Sequence, residues 1–443
     1  MRSSPTRGRT RKCLIWSGCR IRTRCGRRSK DCAGSRFSRT DLDGSVRREL
    51  AVQRVLTFTS LFPNQEQPRH GIFIRTRLTK LLESGEVEAR VVAPVPWFPF
   101  RSRQFGRLAR YARIPREEDS GGVHVYHPRF VALPGPAARL TPLSMALVAL
   151  PLMRHIIASG FDFDVIDAHY YYPDGVAAAL LAQWLGKPLV ITARGSDITY
   201  WPSQYLPRKM ILWASRQAAR NAAVSAALAD EMKQLGFSGG AAAVLRNGVD
   251  TELFHEEPRE SVRNSLGLSG TVAVSVGNLI ELKGHHLAIE ALQYLPDVSL
   301  IIIGDGPEEE RLKGLVRHYL LESRVRFVGV IRQSELRKYY TAADLLILAS
   351  SREGWPNVLL EAMACGTPVV ATRVWGVPEI VGAPEAGVLV DERSAAALAD
   401  GVRRLLCSHI DRQRTRAYAE RFDWGATTRG QLEVFTAALS ANA

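Results

Sequence analysis

Glu353 and Glu361 stand eight residues apart, directly after an apolar run from Leu345 to Ala349, with Gly354 and Pro356 between them. Such a run reads as a buried strand, and Pro356 suits the first turn of a helix. The leading amides of that helix would have no internal partners, and its dipole would add partial positive charge. A helix opening of this kind is a phosphate site before any side chain is considered. A carboxylate accepts hydrogen bonds from vicinal hydroxyls. Glu353 ahead of the helix and Glu361 within it therefore suit a ligand with a sugar at each end of a diphosphate, the shape of a nucleoside-diphosphate sugar. Paired glutamates also occur on solvated helix faces. Small residues before Glu353, Gly354 after it and the closing run from Ala364 to Pro368 set this pair apart from that reading.

Other residues fit the same ligand. Gly277 lets the backbone approach closely, and Lys283, six positions on, can meet a diphosphate as a point charge. The spacing is not that of a Walker A loop, which needs a Lys followed by Ser or Thr. His169 closes a strand-like stretch, Val165 to His169, beside Tyr170, Tyr171 and Tyr172. A histidine there can donate to a sugar hydroxyl or a leaving phosphate, and tyrosine rings can stack on sugar faces. A lone histidine is also commonly a hydrogen-bonded core residue. The turn from Gly304 to Pro307 is read as structural. No Asp-x-Asp pair follows a strand, so no divalent metal is expected.

The block around Glu353 and Glu361 resembles the E-x7-E signature of the retaining family 4 glycosyltransferases of the GT-B fold. The opening Thr59 to Pro63, the run Ala193 to Asp197 and the run Ser275 to Leu279 are similar to bacterial polysaccharide and teichuronic-acid-type transferases. The likeness spans roughly residues 52 to 440. It implies a hexosyl unit transferred with retention from a nucleotide-sugar to a glycan or polyprenyl-diphosphate-linked acceptor in envelope or exopolysaccharide synthesis. By the same resemblance Glu353 holds sugar hydroxyls, Glu361 the ribose diol and Lys283 the departing phosphate. Gly277, Asn278 and the backbone of Gly354, Trp355, Pro356, Asn357, Val358 and Leu359 contact the donor, and Val330 meets the base. His169 is expected at the catalytic face, and Arg194 and Asp197 on the acceptor side. Two positions depart from the pattern. Asn278 stands where the family has Arg, and Arg194 where it has His, which favours an anionic acceptor. Arg352 either compensates for Asn278, pairs with Glu353 or faces solvent. The rival readings are an inactive scaffold of a polysaccharide-synthesis complex, a GT-B-like epimerase and a pyridoxal-dependent phosphorylase.

The elements that must position these residues alternate between strand-like and helix-like stretches from residue 52 onward, which predicts parallel sheets covered on both faces. We expect an α/β chain of two Rossmann-like domains facing a cleft: residues 51–250 on the acceptor side and residues 251–421 holding the donor. The last helix, 422–443, crosses back onto the first domain. In such sheets ligands sit at the carboxyl ends of the strands, where every candidate above falls.

The chain has 443 residues and a net charge of +15, of which residues 1–48 carry +12 through fifteen Arg or Lys and three Asp. The remaining +3 is ordinary and gives no ground for nucleic-acid binding. The basic tail, residues 1–50, lacks apolar periodicity and is expected to be disordered. It reads as a mis-assigned start, an organelle-type presequence or a lipid-touching arm. Its cysteines, Cys13, Cys19, Cys25 and Cys32, lack the spacing of a zinc site. Cys365 and Cys407 read as reduced core residues, consistent with a cytoplasmic protein. No run reaches the length of a membrane span, and Leu143 to Met153, interrupted by Pro151, reads as a core helix or an interfacial one. Arg101 to Arg116 holds six arginines interleaved with Phe105, Leu108 and Tyr111. It is either a solvated loop face or a basic amphipathic helix peripheral to the inner membrane face.

Overall fold

The computed structural model describes residues 52–132, 135–238 and 240–441. The expectations for residues 1–50, the four tail cysteines included, fall outside the described residues. The first lobe is built on an eight-stranded sheet: β1 (Gln53–Phe58), β2 (Val87–Val92), β3 (Glu117–Asp119), β4 (His124–Tyr126), β5 (Val165–His169), β6 (Leu189–Ala193), β7 (Arg220–Ala223) and β8 (Ala243–Val244). Their order is β8-β7-β6-β5-β1-β2-β4-β3, parallel except for β3 against β4. The second lobe carries β9 (Thr271–Val276), β10 (Val298–Ile303), β11 (Val325–Gly329), β12 (Leu345–Leu348), β13 (Val369–Thr372) and β14 (Gly387–Val390). These form one parallel sheet in the order β11-β10-β9-β12-β13-β14. Helices cover both sheets, so β5, β6, β12 and β13 are buried along their whole length. That is why β6, β12 and β13 read as nearly unbroken apolar runs, while β5 carries Asp167 and His169 among its apolar residues.

Seven helices matter for the site and its surroundings: α1 (Ile72–Leu82), α2 (Gly106–Arg113), α3 (Thr141–Ala158), α4 (Val176–Leu185), α5 (Ala226–Leu235), α6 (Asn357–Ala364) and α7 (Trp424–Ser440). α7 lays Val434, Phe435 and Ala438 against Val55, Val165 and Val190 of the first sheet. Gln431 goes in with them. Its amide donates to Asp167 Oδ2 at 2.9 Å and its carbonyl oxygen accepts from Arg77 Nε at 2.7 Å. Burial pushes the Asp167 carboxyl up, but His169, Arg77 and Arg194 outweigh it and hold its pKa below the ordinary value. Losing one partner from a buried charge set of this kind costs about 3–5 kcal/mol. The last helix is thereby fastened to the sheet that ends in His169.

Several local expectations differ from what forms. α1 is absent from the sequence reading because Arg75, Arg77 and Lys80 break its apolar period. Arg77 is nevertheless buried, with its charge absorbed by the cluster just described. α3 runs straight through Pro151. The carbonyl that proline deprives of a partner belongs to Leu147, on the exposed side of the helix where water can reach it. The stretch Gly135–Ala158 is, by length and composition, sufficient to cross a membrane, contrary to the expectation that no segment is. It instead buries Met145, Ala149 and Met153 in the first lobe. Cys365 is buried as expected, whereas Cys407 is exposed at a helix end.

Candidate functional site

β12 delivers the chain to Ser350, a fully buried residue whose carbonyl accepts from Thr372 Oγ1 at 2.6 Å. Ser350 Oγ and Lys283 Nζ both donate to Glu353 Oε1, each at 2.6 Å. The carboxylate is therefore fixed at the carboxyl end of β12 with a lysine on it. Lys283 is held there by its loop. Gly284 lies at φ +72°, and a Cβ on it would meet the carbonyl oxygen of Ala349 at 2.1 Å, so only glycine lets the loop dock on the strand end. Gly277, at φ +153°, is packed beside the Lys283 stem. Its carbonyl abuts Gly304 so closely that a side chain on Gly304 is excluded, which accounts for the Gly304 turn structurally. Asn278 is exposed, as is Val330 beyond β11.

The helix after Glu353 opens at Asn357, with Pro356 as its extended N-cap. Proline has no amide to offer, and Leu359 spends its own on Pro356 O at 3.1 Å. These two are corrections to the expected set of donor-binding amides. The open end is narrowed to the amides of Gly354, Trp355, Asn357 and Val358. The indole of Trp355 is buried and donates to Asn247 O at 3.0 Å, across to the junction of the lobes. Asn357 and Glu361, one helical turn apart, both line a cavity of about 60 Å³ between the lobes, with Phe73 and Thr76 of α1 opposite. Glu361 accepts from Tyr340 Oη at 3.1 Å, and burial raises its pKa to about 7.

On the first-lobe side the structure corrects the expectation for His169. Its Nδ1 lies 2.9 Å from Arg194 Nη2, and a guanidinium can only donate. The ring proton is thus on Nε2, 3.3 Å from Asp167 Oδ2. Burial lowers the His169 pKa to about 4, so the ring is neutral with both nitrogens spent. It has no proton to offer a sugar or a phosphate. Arg194 is turned inward as well: Nη1 donates to Asn247 Oδ1 at 3.3 Å, and the guanidinium sits 5.5 Å from the Phe73 ring centroid. Asn247 Nδ2 in turn donates to Asn357 Oδ1 at 3.3 Å. A chain of side chains therefore runs from Asp167 through His169, Arg194 and Asn247 to the first residue of α6. Asp197 is also corrected. It is fully buried and accepts from the amides of Tyr171, Arg194 and Gly195, so its carboxylate is turned inward and ties two sheet-end turns together. Tyr171 and Tyr172 are buried core rings.

Three contacts that the sequence reading missed join the lobes. Gly195 and Gly354 approach so closely that a Cβ on Gly354 would meet Arg194 O at 2.0 Å. Glu379 of the second lobe accepts from the amides of Ala226 and Ala227 at the start of α5, at 3.0 and 2.9 Å, and pairs with Arg246. Arg352 neither pairs with Glu353 nor serves Asn278. It reaches Thr199 O and stands 5.3 Å from the Tyr200 ring centroid.

Comparison with known proteins gives two family matches: "Glycosyl transferases group 1" over residues 258–422 and "Glycosyltransferase Family 4" over residues 139–253. A Bacillus subtilis (strain 168) protein named as a teichuronic acid biosynthesis glycosyltransferase is 31% identical over 363 residues, covering 79% of this chain and 88% of its own. The N-acetyl-alpha-D-glucosaminyl L-malate synthase of Bacillus anthracis is 28% identical, covering 56% of this chain and 67% of its own. Among solved structures, sucrose-phosphate synthase from Thermosynechococcus elongatus superposes with a TM-score of 0.70 at 20% identity, over 86% of this chain and 98% of that one. The Anabaena protein HepE, solved with UDP-glucose, gives 0.64 at 20% identity, over 87% and 99%.

Proposed function

The chain belongs to the family 4 glycosyltransferases of the GT-B fold, and from that footing we propose that it moves a hexosyl unit, with retention, from a nucleoside-diphosphate sugar to a glycan or polyprenyl-diphosphate-linked acceptor. The carrying observation is Lys283 on Glu353 at the open end of α6, with Glu361 about one turn into the same helix. Lys283 and the free amides supply positive charge where the diphosphate would lie. Glu353 takes the hexose hydroxyls, and Glu361 the ribose diol. The likeness to a structure solved with UDP-glucose supports a nucleotide-sugar donor. The name of the Bacillus subtilis relative supports an envelope polysaccharide as product. Such a donor and acceptor place the enzyme in the cytoplasm, at the inner membrane face.

A nucleotide-sized ligand needs a site of roughly 300 Å³ or more, far beyond the cavity at Glu361, so the lobes part to admit the donor and reclose on it. The closed contacts at Gly354, Trp355 and Glu379 are those that would break and reform. In the closed state the acceptor oxygen attacks C1 on the face that the diphosphate leaves. The C1–O bond to the diphosphate breaks as the new one forms, and the acceptor proton passes to the departing diphosphate oxygen. Lys283 and the helix amides stabilise the charge that develops there, the dominant catalytic effect in such a site. Because they supply that charge, we propose that no divalent metal is required. His169 acts as a positioning residue. It aligns Arg194, and through Asn247 the start of α6.

The test is product stereochemistry. With the donor that the protein turns over, and EDTA present, proton NMR of the first-formed glycoside should show the donor's own anomeric configuration. An inverted product, or donor sugar epimerised in the absence of acceptor, would refute the reading.

A further inference from the structure

The first lobe carries a surface that the transferase reading leaves unused. Trp97 is 54% exposed and Phe100 53%, although both are large apolar side chains. Phe100 stacks on Phe105 at 4.9 Å and both rings contact Phe98, so the aromatics stand out as one group. α2 follows, burying Ala109 and Ala112 while Leu108 and Arg110 point outward. Alongside, Leu140 at the head of α3 and Leu143, Leu147 and Pro151 within it form an exposed stripe at helical spacing. The two pieces lie on one side of the lobe. Trp97, Arg116 and Arg129 share a groove with Val148 and Leu152 of α3, and Arg129 Nη1 donates to Tyr111 O at 2.6 Å.

The charge on this surface is mostly positive, with Glu117 the acid that lines the same groove. Residues 97–116 contain six arginines and no acid, and residues 129–158 contain three arginines and no acid. Arg101, Arg103, Arg110, Arg116 and Arg139 are exposed. A solvated face would not expose leucines in register on a helix, and a phosphate-polymer site would not need them. Aliphatic and aromatic side chains projecting among arginines match an interface with anionic headgroups above and acyl chains below.

We propose that this face, the aromatic loop with α2 and the leucine stripe of α3, docks on a bilayer containing anionic lipid. The proposal deepens the reading above, which sets the enzyme at the inner membrane face, by naming the surface that holds it there; flotation tests the surface, and product stereochemistry tests the reading it rests on. Docking would hold the first lobe at the membrane while the second remains free to open and close.

The test is flotation of the full-length protein with vesicles of phosphatidylethanolamine and phosphatidylglycerol, against vesicles of phosphatidylcholine alone. The fifteen basic residues of residues 1–48 would add their own attraction to anionic lipid, which salt near 0.5 M screens. At low salt, Arg103→Ser with Arg110→Ser should weaken binding to the anionic vesicles by about fivefold per arginine. At high salt, Phe100→Ser with Leu147→Ser should lower the remaining binding by tenfold or more. All variants should keep the wild-type melting temperature, which separates lost docking from lost folding. If either pair leaves binding unchanged at its own salt, or the wild type ignores anionic vesicles, the proposal is overturned. Binding to duplex DNA in place of vesicles would assign the face to nucleic acid and overturn it equally.

Discussion

Lys283→Ala should lower kcat by about 10²–10³ while KM moves by less than about tenfold. The reasoning is local. Lys283 Nζ is 2.6 Å from Glu353 Oε1, and its loop is locked against the end of β12 by Gly284. It cannot be replaced by a neighbour, because Asn278 brings no charge and Arg352 is engaged with the first lobe. Charge on the departing diphosphate grows between ground state and transition state, so a fixed cation there acts mostly on turnover. Steady-state kinetics with a saturating acceptor measure it. A variant with unchanged kcat and a raised KM would mean that Lys283 only helps donor binding.

Glu361→Gln should do two opposite things. The Glu361 carboxyl is buried and its pKa is raised to about 7. A folded-state pKa above the unfolded value favours folding fully at low pH, and that contribution is lost as pH climbs through the folded pKa. Wild type therefore loses stability relative to the Gln variant between about pH 4.5 and pH 7, to a limit of about 3 kcal/mol, and the difference is flat above. Urea unfolding of both proteins at pH 5 and pH 8 reads this directly. Equal stability at both would show that Glu361 does not titrate in that window. At pH 8 the same substitution removes a carboxylate that accepts from a ribose diol. Nucleoside-diphosphate affinity should fall by about tenfold to a hundredfold. The gap should narrow at pH 6, where wild-type Glu361 is mostly protonated, and nucleotide binding to wild type should release a proton. A residue that costs stability at working pH and returns it as binding is the signature of a site kept for function.

Much of this was open to reading in the chain. β6 and β13 are nearly unbroken apolar runs because helices cover both faces of their sheets, and their ends fall where the runs end. The donor side was readable for a related reason. Gly277, Lys283 and Glu353 lie within short strand-to-helix connections and Glu361 one turn into the helix that follows, so local spacing carries the geometry. The first-lobe side was not. Whether His169 faces a substrate depends on Arg194, 25 residues away, and on Gln431, which reaches the same cluster from α7. No local pattern announces that a guanidinium will take the ring's free nitrogen. Arg77 hid α1 for the same reason, since a buried arginine looks like a surface one until its partners are known. Glu379 went unnoticed because its work is to cap a helix of the other lobe, 153 residues away. The apolar run of α3 was legible, but composition left it open between a core helix and an interfacial one, because which of its leucines stay exposed is decided by the packing.

One comparison bears most directly on a donor site gripped by Lys283, Glu353 and Glu361: thermal melting of wild type and of the Lys283→Ala/Glu361→Ala double variant with UDP-, GDP- and ADP-sugars. A ligand that binds the native state raises the melting temperature by mass action. At least one sugar nucleotide should raise it for the wild type and leave the double variant unmoved. Equal stabilisation of both proteins, or none of either by any donor, would contradict the account.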